Sequence, residues 1–151
     1  MERGKGVRPP ADTGAGRRLV VANNHSELRR ASEWVREFAR ELRLERAFEH
    51  GLELALNEAL TNIMSYAYQD GAPHDIVVAL HAQPDRIRVE VEDDGIPFNP
   101  LDIPEHKPEE SLEKSRVTGR GIVLMRSFMD QLQYSRRNGK NVLTMVLMLD
   151  A

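Results

Sequence analysis

Apolar positions recur along this chain with two different periods, and the changes of period mark out its elements. Leu19-Val20-Val21-Ala22 is a short apolar run that predicts a strand. It ends at Asn23-Asn24-His25-Ser26, where Ser26 is placed to cap a helix running to about Leu44. Within that helix Leu28, Ala31, Trp34, Val35, Phe38 and Leu42 return at steps of three and four, giving one stripe to bury. A second helix is predicted from about Ala47 to Tyr68, with Phe48, Leu52, Ala55, Leu56, Ala59, Leu60 and Ile63 facing the core. Asp70-Gly71-Ala72-Pro73 stops it. The period then falls to two, predicting strands Ile76–Ala82 and Arg86–Asp93 across Gln83-Pro84-Asp85. Residues 97–118 carry four prolines and many charges, the mark of a lid or a disordered loop. Gly121–Met129 returns to helical spacing, and strands Gln131–Arg136 and Val142–Leu149 flank Asn138-Gly139, a strong hairpin signal.

This order predicts an α+β fold, a two-layer α/β sandwich whose mixed, mostly antiparallel sheet is covered by helices on one face. A length of 151 residues suits one domain. Residues 1–18 hold almost nothing to bury and read as a disordered basic tail, leaving 19–151 as the folded domain. Five basic residues against two acidic ones give that tail a net +3, so the rest carries −6 of the overall −3. With 21 Lys+Arg against 24 Asp+Glu the chain lacks the basic excess of a nucleic-acid binder. There is no cysteine, which removes disulfides, thiolate metal sites and a cysteine nucleophile from consideration. No apolar run is long enough to span a bilayer and no signal peptide opens the chain, so a soluble cytoplasmic protein without a membrane partner is expected.

Three segments carry candidate chemistry. On the second helix Glu58, Thr61, Asn62 and Ser65 form a polar stripe beside the apolar one. Glu58 and Asn62 lie one turn apart on one side, a proton acceptor next to a neutral oxygen ligand for a hard cation. The bland alternative is a solvated helix face. Next, the alternation Ile87, Val89, Val91 puts Asp93 on the buried face at the end of its strand, with Asp94 on the solvent side. A buried carboxylate needs a donor, such as the exocyclic amine of adenine, unless Asp93 bends out as an ordinary turn aspartate. Gly95 permits a sharp turn and a close approach. Last, Thr118-Gly119-Arg120-Gly121 sits directly before a helix, where free N–H groups favour phosphate. It is no Walker loop, since G-x-x-x-x-G-K-[ST] is absent. Trp34, Met125, Met129, Met145 and Met148 read as core, and the five histidines show no ligand spacing.

Taken in order, these segments resemble the boxes of the GHKL (Bergerat-type) ATP-binding superfamily, and within it the small anti-sigma-factor serine kinases. Glu58-Ala59-Leu60-Thr61-Asn62 is similar to the N-box, and Ala67-Tyr68 fits as well. Asp93-Asp94-Gly95-Ile96-Pro97-Phe98 is similar to the D-x-G-x-P-F box. Gly119-Arg120-Gly121-Ile122 through Met129-Asp130 resembles the second glycine box and its helix. The chain departs from the pattern at Tyr66, where many relatives have histidine, and in its shortened G-x-G.

The resemblance implies a Bergerat ATP-binding fold over about 19–150, with ATP and Mg²⁺ as cofactors. Asn62 would ligate Mg²⁺, Glu58 would accept the substrate hydroxyl's proton, and Asp93 would hold the adenine amine. Gly95, Pro97, Thr118, Gly119, Arg120 and Gly121 would complete the nucleotide site, under a lid at about 101–118. It further implies a serine/threonine protein kinase acting as an anti-sigma factor, with a sigma factor and a STAS-type antagonist as partners and a homodimer as its assembly. Two other functions share the same pocket: a nucleotide-gated binding module without transferase activity, and a detached histidine-kinase-type catalytic domain.

Overall fold

The computed structural model describes residues 15–102 and 119–149. Strand β1 (Ala15–Ala22) leads through a 3-10 turn (His25–Glu27) into α1 (Leu28–Glu41), followed by α2 (Arg46–Tyr66), β2 (Asp75–Gln83) and β3 (Arg86–Asp93). After a second 3-10 turn (Pro100–Asp102) come α3 (Gly119–Phe128), β4 (Gln131–Arg137) and β5 (Lys140–Met148). The strands form one sheet in the order β1-β2-β3-β5-β4. Every neighbouring pair is antiparallel. The final strand therefore sits inside the sheet, between β3 and β4.

Strict alternation in β2 and β3 sends Ile76, Val78 and Leu80 to the same face as Val89, Val91 and Asp93. Leu143 and Met145 of β5 continue that face opposite Val91 and Val89. Leu52, Leu56, Leu60 and Ile63 of α2 pack onto it with Val35 and Phe38 of α1 and Met125 of α3. This apolar layer is the main source of stability, each fully buried side chain contributing about 1.5–3 kcal/mol relative to exposure. The α+β two-layer reading of the sequence matches this architecture.

Element boundaries moved for local reasons. The capping side chain is Asn24 rather than Ser26: its Oδ1 accepts from Ser26 N at 3.1 Å. α2 ends at Tyr66, two residues early. Strand β1 begins at Ala15, so Ala15–Arg18, read from sequence as tail, belong to the sheet through pairing with Ala79–Ala82. Backbone ladder bonds, blind to side-chain polarity, hold these residues in place. The rest of the expected tail, residues 1–14, lies outside the described residues, as do 103–118 of the expected lid. The Asn138-Gly139 hairpin forms as anticipated, both residues with positive φ (53° and 78°), the backbone that a two-residue turn of this hand requires.

Candidate functional site

The polar stripe of α2 runs from solvent into the protein: Ser65 is exposed, Glu58 and Thr61 are half-buried, and Asn62 is buried. Asn62 is only 1% exposed, and its Nδ2 is buried without a hydrogen-bond partner among the described residues. A buried amide N–H left unpaired costs on the order of 1–3 kcal/mol, so this donor favours any acceptor brought up to it. One turn earlier, Glu58 is partly buried, and desolvation pushes its carboxyl above the ordinary value. The apolar stripe that anchors α2 leaves these two groups no choice of direction.

At the end of β3, Asp93 is 2% exposed, as the alternation predicted. Its Oδ1 accepts from Gly95 N at 2.9 Å and from Asn141 Nδ2 at 2.9 Å. Burial still pushes its carboxyl upward, opposed by those two hydrogen bonds, while the neighbouring Asp94 charge adds to the rise and Arg136 opposes it. The turn that follows is pinned to the end of α2, with Ile96 N donating to Ala67 O at 2.8 Å. A Cβ at Gly95 would stand 2.7 Å from the Ala67 Cβ and closer still to its carbonyl oxygen, so only glycine fits. Asn62 lies five residues before Ala67, about 7.5 Å along the helix axis. The N-box and the Asp93 turn thus share one corner.

Sequence reasoning missed the residue that organises this corner. Asn141, 3% exposed, faces Asp93 directly across the β3–β5 ladder. Its Nδ2 donates to Asp93 Oδ1 and, at 2.8 Å, to Ile96 O. Its Oδ1 accepts from Phe98 N at 3.1 Å, from Arg136 Nη1 at 3.1 Å and from the Tyr134 hydroxyl. Arg136 Nη1 also donates to Gly95 O at 2.9 Å. Only the strand pairing brings residue 141 to residue 93; the Asn138-Gly139 turn was the available clue, since it sets the β4–β5 register.

Asp94 is exposed, but it is not idle. It accepts from the Tyr68 hydroxyl at 3.2 Å and contacts His74 Nδ1 at 3.4 Å. His74 stacks on Tyr68, with ring centroids 4.5 Å apart, and its Nε2 lies 2.8 Å from Asp70 Oδ2. Hydrogen bonding to Asp70 raises the His74 pKa, and burial raises that of Tyr68. Pro97 lines the open cleft beside this cluster, together with Ala67, Gly95 and Arg136.

The third box is described only in part. Gly119 and Gly121 lie in the first turn of α3, which begins two residues before the expected Gly121, ends one residue before the expected Met129 and packs on α2. Thr118 falls outside the described residues, as do the side chains at 119–121. Trp34 packs against the core, and Met125, Met129 and Met145 lie within it; Met148, read from sequence as core, is instead half-buried opposite Arg86, on the other face of the sheet from Met145. No group of three or more histidine, aspartate or glutamate side chains among the described residues could hold a metal ion. No helix among them is long and apolar enough to cross a membrane.

A buried carboxamide beside a raised carboxyl, joined at one corner to a buried aspartate and a glycine turn, invites comparison with known nucleotide-binding families. The model of the histidine kinase-like ATPase domain matches residues 21–147, spanning all three boxes. The chain belongs to this family. Among curated ATPase-domain relatives, the serine/threonine-protein kinase BtrW of Bordetella bronchiseptica is 32% identical over 112 residues, covering 74% of this chain and 79% of the relative. The serine-protein kinase RsbW of Oceanobacillus iheyensis is 30% identical over 92 residues, 58% of either chain. The chain thus spans well under two thirds of that RsbW's length. Among solved ATPase-family structures, the RsbU and RsbW domains of a Mycobacterium tuberculosis protein superpose with a TM-score of 0.58 at 14% identity. That match covers 89% of this chain and 34% of the other, and it supports the fold alone.

The residues present fit the nucleotide that an ATPase family implies. Among the described residues Asn62 Nδ2 is a donor without a partner, which suits a phosphate oxygen, while its amide oxygen with phosphate oxygens and water would suit Mg²⁺, which uses few protein ligands. Among the described residues Asp93 takes both of its side-chain hydrogen bonds on one oxygen, leaving Oδ2 for an incoming N–H.

Proposed function

We propose that this chain is an ATP-dependent serine/threonine protein kinase that also acts as an anti-sigma factor, phosphorylating a STAS-type antagonist protein in the cytoplasm. The family and the kinase names of its relatives support the enzyme class. One observation carries the site: the buried Asn62 carboxamide, whose Nδ2 has no partner among the described residues, one turn from a Glu58 carboxyl whose pKa burial raises.

In this reading Asp93 orients the base through its free oxygen, and Gly95 and Pro97 shape the wall beside it. Thr118, Gly119, Arg120 and Gly121 are assigned to the phosphates, and Asn62 is the residue that would hold Mg²⁺. Bound there, Mg²⁺-ATP supplies the phosphoryl group and neutralises the charge that its transfer develops. Glu58 takes the proton of the protein substrate's hydroxyl as that oxygen attacks. Burial, by raising its pKa, makes it a stronger base. The sigma factor, the STAS-type antagonist and a homodimer are the assemblies we assign on the same reading.

The first test is calorimetric titration of ATP with and without Mg²⁺, on the native chain and on Asp93→Asn, followed by phosphate transfer to a STAS-type partner. Mg²⁺-dependent binding lost in Asp93→Asn, with transfer lost in Glu58→Gln, is the expected result. Tight ATP binding with no phosphate on any partner would instead make the protein a nucleotide-gated binding module.

A further inference from the structure

We propose that Asn141 is the positioning residue through which this site reads the amine edge of adenine. The inference rests on Asp93 being the base-recognition residue, as proposed above, and concerns what makes that aspartate selective.

A carboxamide has two N–H donors and two acceptor lone pairs. Asn141 commits all of them within the protein: both donors go to Asp93 Oδ1 and Ile96 O, and its oxygen serves Phe98 N, Tyr134 and Arg136. None remains for a ligand, so Asn141 acts on the nucleotide only through what it holds. It holds two things. The bond to Asp93 Oδ1 joins the one from Gly95 N, stopping the carboxylate from rotating and presenting Oδ2 as the open acceptor. The bonds to Ile96 O and Phe98 N fix the backbone that runs alongside. Arg136, on Gly95 O and on Asn141 itself, ties both parts to β4. A recognition wall ordered before the ligand arrives spends none of the binding free energy on its own ordering. Asn141 sits on β5, whereas the phosphates are assigned to α2 and the start of α3, so its removal should affect base recognition selectively.

The test compares ATP with purine riboside triphosphate, which lacks only the exocyclic amine, by calorimetry on the full chain. The native protein is expected to favour ATP by roughly tenfold or more, the worth of a charge-assisted hydrogen bond in a buried site. In Asn141→Ala that preference should fall to within about threefold, while affinity for the analogue changes by less than about threefold. If Asn141→Ala does not fold, Asn141→Val, whose β-branched side chain suits a strand, is expected to give the same loss. Equal weakening of both nucleotides, with the preference kept, would overturn the proposal and leave Asn141 a structural residue. No preference in the native protein would overturn the Asp93 reading itself, and the two failures are thereby distinguishable.

Discussion

At the end of β3 the buried polar atoms answer one another. Asp93 Oδ1 takes two hydrogen bonds, and Asn141 makes five. On α2, Asn62 is buried to the same degree, yet its Nδ2 has no hydrogen-bond partner among the described residues, and Glu58 carries the upward shift of desolvation. The first region is finished by the protein, and the second is left open. A satisfied network contributes to the fold and to the site together, whereas an orphaned group costs stability and is retained for what binds it. Substitutions should therefore separate the two regions: on α2 they should cost function alone, and around Asp93 they should cost function and stability together.

The largest effect is expected at Glu58. Glu58→Gln should lower phosphate transfer by about 10²–10⁴-fold. Because its carboxyl has a raised pKa in the folded state, the ionised form opposes folding. The stability tied to this group is complete below its ordinary pKa of 4.5 and is lost as pH rises from there through the raised value. A melting temperature of Glu58→Gln at pH 7 equal to or above that of the native chain is the expected outcome; a clear fall would erase the contrast. Asp93→Ala should weaken ATP binding by roughly 10–100-fold and also destabilise the fold by about 1–3 kcal/mol, because it leaves the buried Gly95 N and Asn141 Nδ2 without their shared acceptor. Chemical denaturation of the two variants side by side checks the pair.

Gly95→Ala sharpens the comparison from the packing side. Its new methyl has nowhere to go against Ala67, so a loss of about 1–3 kcal/mol is expected, with weaker nucleotide binding, in the same denaturation series. The smallest expected effect is the pH profile of transfer. Its acid limb should lie above pH 4.5, because Glu58 must lose its proton to act and burial delays that loss on titration from the acid side. A limb at or below 4.5 would place the base elsewhere.

Much of this was legible along the chain because it depends on local spacing. Alternation through Ile87, Val89 and Val91 was enough to put Asp93 inside, and a four-residue step was enough to stack Glu58 over Asn62. What escaped were contacts between residues far apart in sequence. Asn141 bonds to Asp93 across 48 positions, and nothing in Lys140-Asn141-Val142 announces it. Asp94 looked like an ordinary solvent-facing turn residue until the loop carrying His74 folded back beside it. Residues 15–18 read as tail for a related reason: their polarity said surface, and a sheet edge is surface that is nonetheless strand.

The place of β5 in the sheet bears on when this protein becomes competent during its synthesis. The last described strand lies between β3 and β4, so a nascent chain that has already emerged through Asp93, with both of its N-terminal helices, still lacks the wall against which that aspartate is set. A ribosome must deliver roughly fifty more residues before the carboxylate finds its amide, since non-local pairing of this kind closes late. Nucleotide capture would then report a completed molecule, and a chain stalled or truncated before the final hairpin would carry every residue assigned to chemistry and still be unable to use them.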